Sequence, residues 1–325
     1  MKSNFILVTG CAGFIGYHLC NYLLSHNKDV IGIDNMNSYY DTKLKSDRLK
    51  LLKEFKKKFI FYKADIANKK KLSFIFKNFK ILKVVNLAAQ AGVRYSIYNR
   101  DEYFKSNILG FYNILELCNQ YKVKHLLFAS TSSVYGNSKI QPYKEFQNTD
   151  LPISFYAASK KTNEILAYSY SYIHRLKITG MRFFSVYGPY GRPDMALYKF
   201  VHNIINNKTI ELFNYGNHYR DFTYIDDIVM GIVKIMNKPP TNSPPFEIVN
   251  LGRGKKEHLK KFLKTILAEL KLDHPKIVNK KMQKGDVLST SASITKLLKH
   301  YKFKPKIDIN IGIKRFINWY RNYHQ

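Results

Sequence analysis

Tyr156 and Lys160 stand four residues apart in Tyr156-Ala-Ala-Ser-Lys160. On a helix, positions i and i+4 share a face, so the pair would present a phenol beside an ammonium. A cation next to a phenol favours the phenolate and lowers a pKa that is otherwise near ~10. Tyr156 would then serve as a general base near neutral pH. The spacing alone is weak evidence. With 25 Tyr and 44 Lys in 325 residues, random placement yields roughly three such pairs, and Tyr39 with Lys43 is another. Position separates the two. Tyr156 falls early in an expected helix over 154–175, after the polar stretch Ala129-Ser130-Thr131-Ser132-Ser133-Val134-Tyr135-Gly136.

A second constellation lies near the N-terminus. The apolar run Phe5-Ile6-Leu7-Val8-Thr9 reads as a buried strand, and it leads into Gly10-Cys11-Ala12-Gly13-Phe14-Ile15-Gly16 and an expected helix over 14–26. Glycines at such a turn allow a tight bend, a close approach of backbone to a pyrophosphate, and close packing of helix on strand. The free N–H groups of the helix start would meet the phosphates. A strand before and a helix after are the context this motif requires. Asp34, with Asn35, ends the next expected strand, where a carboxylate meets the adenosine ribose hydroxyls. An acid there repels a 2′-phosphate, so NAD is expected rather than NADP.

The elements that must hold these groups follow a regular order. Further strands are expected at 30–33, 59–62, 82–87 and 125–129. Between them come amphipathic helices at 42–55, 69–78 and 100–121. Alternating strands and helices, with the strands apolar throughout, imply a parallel sheet covered on both faces. The fold class is α/β, a Rossmann-type doubly wound sheet with a smaller C-terminal lobe. Residues 1–184 are assigned to dinucleotide binding. Residues 185–325 form mainly a substrate-binding lobe, with segments near 215–250 returning to the first domain. After a strand at 177–183, helices are expected near 256–270, 293–300 and 309–323; the crossings between 185 and 250 are left unplaced.

Composition narrows the setting. No apolar run approaches the ~20 residues of a membrane span, and the stretch before the first glycine is too short for a secretory signal. A cytoplasmic protein without membrane insertion is expected. Three cysteines, Cys11, Cys20 and Cys118, lack CxxC spacing, which argues against a disulfide framework or a metal site. The net charge of +31 would suit a nucleic-acid or anionic-membrane binder. The excess is mostly lysine, spread along the chain and accompanied by abundant Asn, Ile, Tyr and Phe, all with A/T-rich codons. Base composition is the simpler explanation, and no specific nucleic acid is expected. The runs Lys56–Lys58 and Lys69–Lys71 read as solvated helix ends.

The Thr9–Gly16 loop, spaced GxxGxxG, resembles the short-chain dehydrogenase/reductase superfamily in its extended, nucleotide-sugar branch. The resemblance implies that Asp65 and Ile66 flank the adenine, and that Leu87, Ala88 and Ala89 lie along the cofactor. It also implies that Lys160 binds the nicotinamide ribose, and that Thr131 holds the sugar oxygen as it becomes a carbonyl, with Ser132 and Ser133 as helpers.

Longer stretches carry a closer resemblance. Asn37–Asp41, Gln90–Ser96, Arg182–Pro189, Gly191–Ala196 and Arg220–Asp227 are similar to bacterial UDP-glucuronate 4-epimerases, along nearly the whole chain. The activity so implied is an isomerase: Tyr156 deprotonates the C4 hydroxyl of a UDP-sugar, hydride passes to tightly held NAD, the 4-keto sugar turns over, and hydride returns to its other face. A 4,6-dehydratase of this fold would carry Asp-Glu after the catalytic Thr, where this chain has Ser132-Ser133. Arg192 is expected to anchor the substrate carboxylate with its planar fork, and so to protect the β-keto acid from losing carbon dioxide. Arg94, Arg220 and Asp286 are expected at the UDP end. Ser185 stands where relatives often carry Thr, which keeps the hydroxyl. The alternatives are a 4-epimerase of UDP-glucose or UDP-N-acetylglucosamine, a UDP-glucuronate decarboxylase and, more remotely, a non-catalytic redox-sensing or RNA-binding protein. The resemblance also implies a homodimer, built on the helices near 100–121 and 154–175.

Overall fold

A computed structural model describes residues 4–272 and 274–325 of the chain. Six apolar segments form strands β1 (Phe5–Thr9), β2 (Val30–Asp34), β3 (Phe59–Lys63), β4 (Ile81–Asn86), β5 (His125–Thr131) and β6 (Ile178–Phe183). They pair in the order β3-β2-β1-β4-β5-β6, every pair parallel. The order reverses direction between β1 and β4, so a crevice opens there beyond the strand ends. Along β1, Ile6 and Val8 point to one core and Leu7 to the other, as the two-residue period of a strand requires. The first core is completed by the helices Phe14–Ser25, Thr42–Lys53 and Ile225–Met236, the second by Lys69–Asn78, Gly110–Gln120 and Phe155–His174.

Beyond β6 the chain runs through short strands β7 (Ser185–Tyr187), β8 (Ile210–Phe213) and β9 (Tyr219–Tyr224). It then forms the Ile225–Met236 helix, which packs on the helix Phe14–Ser25, and β10 (Phe246–Leu251), which joins the large sheet beside β6. Strands β11 (Lys256–His258) and β12 (Ile277–Lys280) close two small sheets, β11-β9-β7 and β12-β8. The helix expected from 256 starts only at Leu259, because residues 256–258 pair antiparallel with β9.

The long helix expected over 100–121 is present but not uniform. Residues Phe104–Leu109 form a π segment between α-helical turns. Asn107 sits inside that segment. Its side chain accepts from Gln90 N at 2.8 Å and donates to Gln90 O at 3.0 Å and Ser159 Oγ at 2.9 Å, while its carbonyl accepts from Asn163 Nδ2 at 2.6 Å. A carbonyl drawn to another helix leaves the regular ladder, which is the usual setting of a π bulge.

The helix carrying Tyr156 and Lys160 is pinned to the strand ends by a buried ion pair. Glu164 accepts from Arg182 Nε at 2.8 Å and Nη2 at 2.7 Å, and from Ser130 Oγ at 2.6 Å. Both side chains are almost fully covered. Removing one partner of such a pair strands the other's charge away from water. Glu164→Gln should therefore destabilise the protein by about 3–5 kcal/mol, read as a lower urea midpoint with an unchanged slope.

Candidate active site

The loop after β1 is built for close approach. Gly10 has φ +70°, and a Cβ on it would lie 2.8 Å from Ala88 N; one on Gly16 would lie 2.0 Å from Gly10 O. Gly13 caps the following helix with no side-chain bond of its own, so the N–H groups of the first turn face outward free. Thr9 Oγ1 donates to Asn86 Oδ1 at 2.6 Å and accepts from Ala88 N at 3.1 Å, tying the ends of β1 and β4 together across the crevice. Asp34 accepts from Ala12 N at 3.1 Å and from Met36 N at 2.8 Å. A carboxylate has about four lone-pair sites, so Asp34 braces the loop and keeps acceptor capacity for a diol. Asp65 is held by Ala67 N and Asn35 Nδ2 at 2.8 and 3.3 Å.

All the residues expected to bind a dinucleotide line one cavity of about 1250 Å³: Gly10, Gly13, Phe14, Ile15, Gly16, Asp34, Asn35, Asp65, Ile66, Leu87, Ala88, Ala89, Tyr156 and Lys160. So do Thr131, Ser132, Ser133, Arg94, Ser185, Arg192, Arg220 and Asp286. Ordinary ligand pockets hold ~300–1,000 Å³, so this one suits two ligands end to end. The glycine cradle, the free helix start and the carboxylate at the end of β2 fit a dinucleotide without a 2′-phosphate.

Thr131 closes β5, its Oγ1 accepting from Ser133 N at 3.1 Å and donating to Ser133 Oγ at 3.2 Å. Lys160 Nζ donates to Ala129 O at 3.0 Å. The electrostatics correct the sequence expectation. Burial raises the Tyr156 phenol above its ordinary value, and the groups that pull it back are the Thr131 hydroxyl and the Arg192 guanidinium. Lys160 is pushed down to about 7 by the same burial. Desolvation penalises the charged form of each partner, which a reading of spacing leaves out. The groups that favour phenolate come from β5 and from the loop beyond β7.

At the other end, Arg192 is already engaged. Its Nε meets Asp194 Oδ1 at 2.9 Å and its Nη2 meets Asp194 Oδ2 at 2.5 Å. Asp194 Oδ2 also accepts from Tyr39 Oη at 3.1 Å. Arg220 and Asp286, both expected to face substrate, are paired with each other at 2.7 Å, with His218 at 3.7 Å from the same carboxylate. Arg94 stacks over the Phe213 ring at 4.7 Å. Asp286 therefore orients Arg220, and Arg220 and Arg94 are the arginines on this wall, with Lys280 and Lys284 lining the same cavity.

Several structural contributors went unread in the sequence. Asn107 joins the loop after β4 to the helix of Tyr156. Arg48, fully buried, donates to Ala12 O at 2.7 Å, Tyr40 Oη at 2.7 Å and Tyr190 O at 2.6 Å, while its Nε has no partner among the described residues. It ties the glycine loop to the turn that carries Arg192. His18 holds the same turn through Pro189 O at 2.9 Å. Polar residues on the inward stripe of an otherwise amphipathic helix were the available signal, but their partners lie too far along the chain to name. Adding a methyl at Gly16 should spread the loop, so Gly16→Ala is expected to lose bound dinucleotide, measured by cofactor content after denaturation.

Comparison with known proteins agrees with this geometry. The UDP-glucuronate 4-epimerase of Thermodesulfobacterium geofontis is 43% identical, covering 97% of this chain and 96% of that protein. The crystal structure of UDP-glucuronic acid 4-epimerase from Bacillus cereus, in complex with UDP-glucuronic acid and NAD, superposes with a TM-score of 0.90 at 30% identity, covering 98% of this chain and 99% of that one. UDP-glucose 4-epimerase from Thermotoga maritima, solved with UDP-glucose, gives a TM-score of 0.88 at 28% identity, with 99% and 100% covered. A sequence model of the NAD dependent epimerase/dehydratase family matches residues 6–252. On these grounds the chain belongs to the NAD dependent epimerase/dehydratase family.

Proposed function

We infer that this chain interconverts UDP-glucuronate and UDP-galacturonate by epimerisation at C4, using NAD that it retains through the cycle. The observation that carries the reading is the convergence of Thr131, Tyr156, Lys160 and Arg192 on one cavity with the glycine loop. The likeness to UDP-glucuronate 4-epimerases over the full chain supports it. Residues 1–184 serve the cofactor, later segments near 215–250 return to that domain, and residues 185–325, Arg220 among them, serve mainly the nucleotide sugar.

Gly10, Gly13 and Gly16 receive the pyrophosphate, Asp34 and Asn35 the adenosine ribose, and Lys160 the nicotinamide ribose. NAD, when bound, supplies a reversible acceptor for the hydride of C4. The Tyr156 phenolate oxygen takes the proton of the C4 hydroxyl, and the Thr131 hydroxyl holds that oxygen as it becomes a carbonyl. After the 4-keto sugar turns over, Tyr156 returns the proton. No acid–base pair for eliminating water across C5–C6 is needed, and Ser132 and Ser133 supply none. Arg192 grips the substrate carboxylate and holds it out of the alignment in which the C5 carboxyl of a β-keto acid leaves as carbon dioxide. Arg94 and Arg220 meet the pyrophosphate of the UDP group.

A second reading, a neutral hexose as substrate, draws on the Arg192–Asp194 pair, since a cation already matched by a carboxylate does not require a uronate. Incubation of the purified protein with UDP-glucuronate and, separately, with UDP-glucose, followed by NMR of the nucleotide sugars, decides between them. UDP-galacturonate is the expected product, and turnover of UDP-glucose alone overturns the reading. Arg192→Ala should raise KM for UDP-glucuronate and release some UDP-pentose; unchanged affinity and product would count against the anchoring role.

Tyr156 must be deprotonated to act, and Thr131 and Arg192 oppose the upward push of burial. Removing either raises the phenol further, so at a given pH less phenolate is present. Thr131→Val and Arg192→Ala should each move the rising limb of the kcat/KM profile to higher pH.

A homodimer fits the surface. Phe104, Leu109 and Tyr112 on one helix, and Ile165, Tyr168, Tyr172 and Ile173 on its neighbour, are exposed apolar side chains on adjoining helices, a patch of the kind that marks an association surface. Light scattering should return twice the 38.1 kDa of the chain. A cytoplasmic setting is supported by three buried cysteines that are all free thiols.

A further inference from the structure

The segment Asn37–Asp41 stands out in the sequence, yet the chemistry above gives it no task. In the fold it lies against the loop that carries Arg192. Tyr39 Oη donates to Asp194 Oδ2 at 3.1 Å, and Arg192 lies over the Tyr39 ring at 5.7 Å. Next to it, Tyr40 accepts from the buried Arg48, which also holds Tyr190 O. Tyr39 is therefore fixed on one side by the framework of the glycine loop and on the other by Asp194.

A guanidinium has five N–H donors in a planar fork. Asp194 takes the side-on pair, one from Nε and one from Nη2, at 2.9 and 2.5 Å. The remaining nitrogen, Nη1, makes no hydrogen bond among the described residues and is not sealed from solvent. The end-on pair, formed by Nη1 and the second hydrogen of Nη2, is left for another carboxylate. One arginine can serve two carboxylates this way, because its two bidentate edges are distinct.

We propose that Asp194, held by Tyr39, is the positioning residue that sets Arg192 for a uronate: it occupies the side-on edge and thereby presents the end-on edge to the substrate carboxylate. The proposal rests on the uronate reading above. Without Asp194 the guanidinium would rotate about its long side chain, and its donors would no longer meet the substrate in one plane. Binding at the end-on edge remains favourable because the half-buried guanidinium keeps donors that no described protein group meets, whereas a hydroxymethyl group in that place meets one donor at most. Tyr39 contributes one hydrogen bond to the Asp194 carboxylate, against the two that Arg192 makes with it, so its share is smaller.

The test is a mutant cycle on the full-length protein carrying its bound cofactor, with KM and kcat followed for UDP-glucuronate and affinity for UDP-glucose measured by calorimetry. Asp194→Ala should raise KM for UDP-glucuronate about ten-fold or more, in line with the loss of a charge-assisted contact, with a smaller change in kcat. The isosteric Asp194→Asn should fall between it and the native protein, and Tyr39→Phe should raise KM a few-fold. UDP-glucose affinity should stay the same throughout. In an Arg192→Ala background, Asp194→Ala should add nothing further, because it acts through Arg192. Equal weakening toward both nucleotide sugars, or additive effects in the double variant, would mean that Asp194 only supports the loop and overturns the proposal. A lower KM in Asp194→Ala overturns it too, since Asp194 would then be competing with substrate. Retained cofactor and an unchanged melting temperature identify variants that fold; if Asp194→Ala does not, Tyr39→Phe and Asp194→Asn decide by the same criteria. A native protein that turns over UDP-glucose but not UDP-glucuronate sinks the uronate reading and this proposal with it, whereas native uronate turnover with insensitive variants sinks the proposal alone.

Discussion

The parallel pairing of β1 with β4 is the constraint on which the rest of the molecule depends. Thr9 sits opposite Asn86 in that register, and the Thr9 hydroxyl locks the two strand ends together through Asn86 and Ala88. Because every strand of the large sheet runs the same way, the loops after β1, β2, β4, β5 and β6 all emerge on one edge. The reversal of strand order between β1 and β4 then parts those loops and opens the crevice. A single topological fact thus gathers a glycine cradle, the Asp34 carboxylate, a hydroxyl and a phenol into one cavity.

What holds the gathered loops in place is a set of buried polar contacts, each made by a side chain whose removal would leave partners unpaired. The Asn107 carboxamide joins the loop after β4 to the helix of Tyr156. The Glu164–Arg182 pair joins that helix to β6. Arg48 joins the glycine loop to the turn around Tyr190, a non-glycine residue held at φ +53°. These contacts join elements far apart along the chain, so the walls of the cavity are mechanically one frame. Arg192 is positioned by that frame before any substrate arrives.

The electrostatics of the cavity follow from the same burial. Withdrawal from water pushes the Tyr156 phenol up and the Lys160 ammonium down, so the pair is less polarised than two charges side by side on a helix would be. The groups that favour phenolate, Thr131 and Arg192, lie on different elements. Under the proposed anchoring role, base strength and carboxylate recognition would be coupled through Arg192, which shares one cavity with Tyr156.

Much of this was legible along the chain. Thr131 is picked out by family resemblance, whereas the strand and helix order, the glycine loop with Asp34, and the Tyr156–Lys160 pair rest on local pattern: apolar period, turn chemistry and short spacing. Such features depend on neighbours within a few residues and can be read without knowing where the chain goes next. The π segment at 104–109, the strand character of 256–258 and the placement of β7 to β9 were not legible, because partners more than thirty residues away decide them. The roles of Asn107, Arg48 and Asp194 belong to the same class, as does the pairing of Arg220 with Asp286, two residues expected to face substrate separately. The direction of the Tyr156 shift is the plainest case. Sequence determined which groups could do the chemistry, whereas their ionisation and pairing depend on depth from water and on contacts across the sheet, and only the tertiary structure sets those.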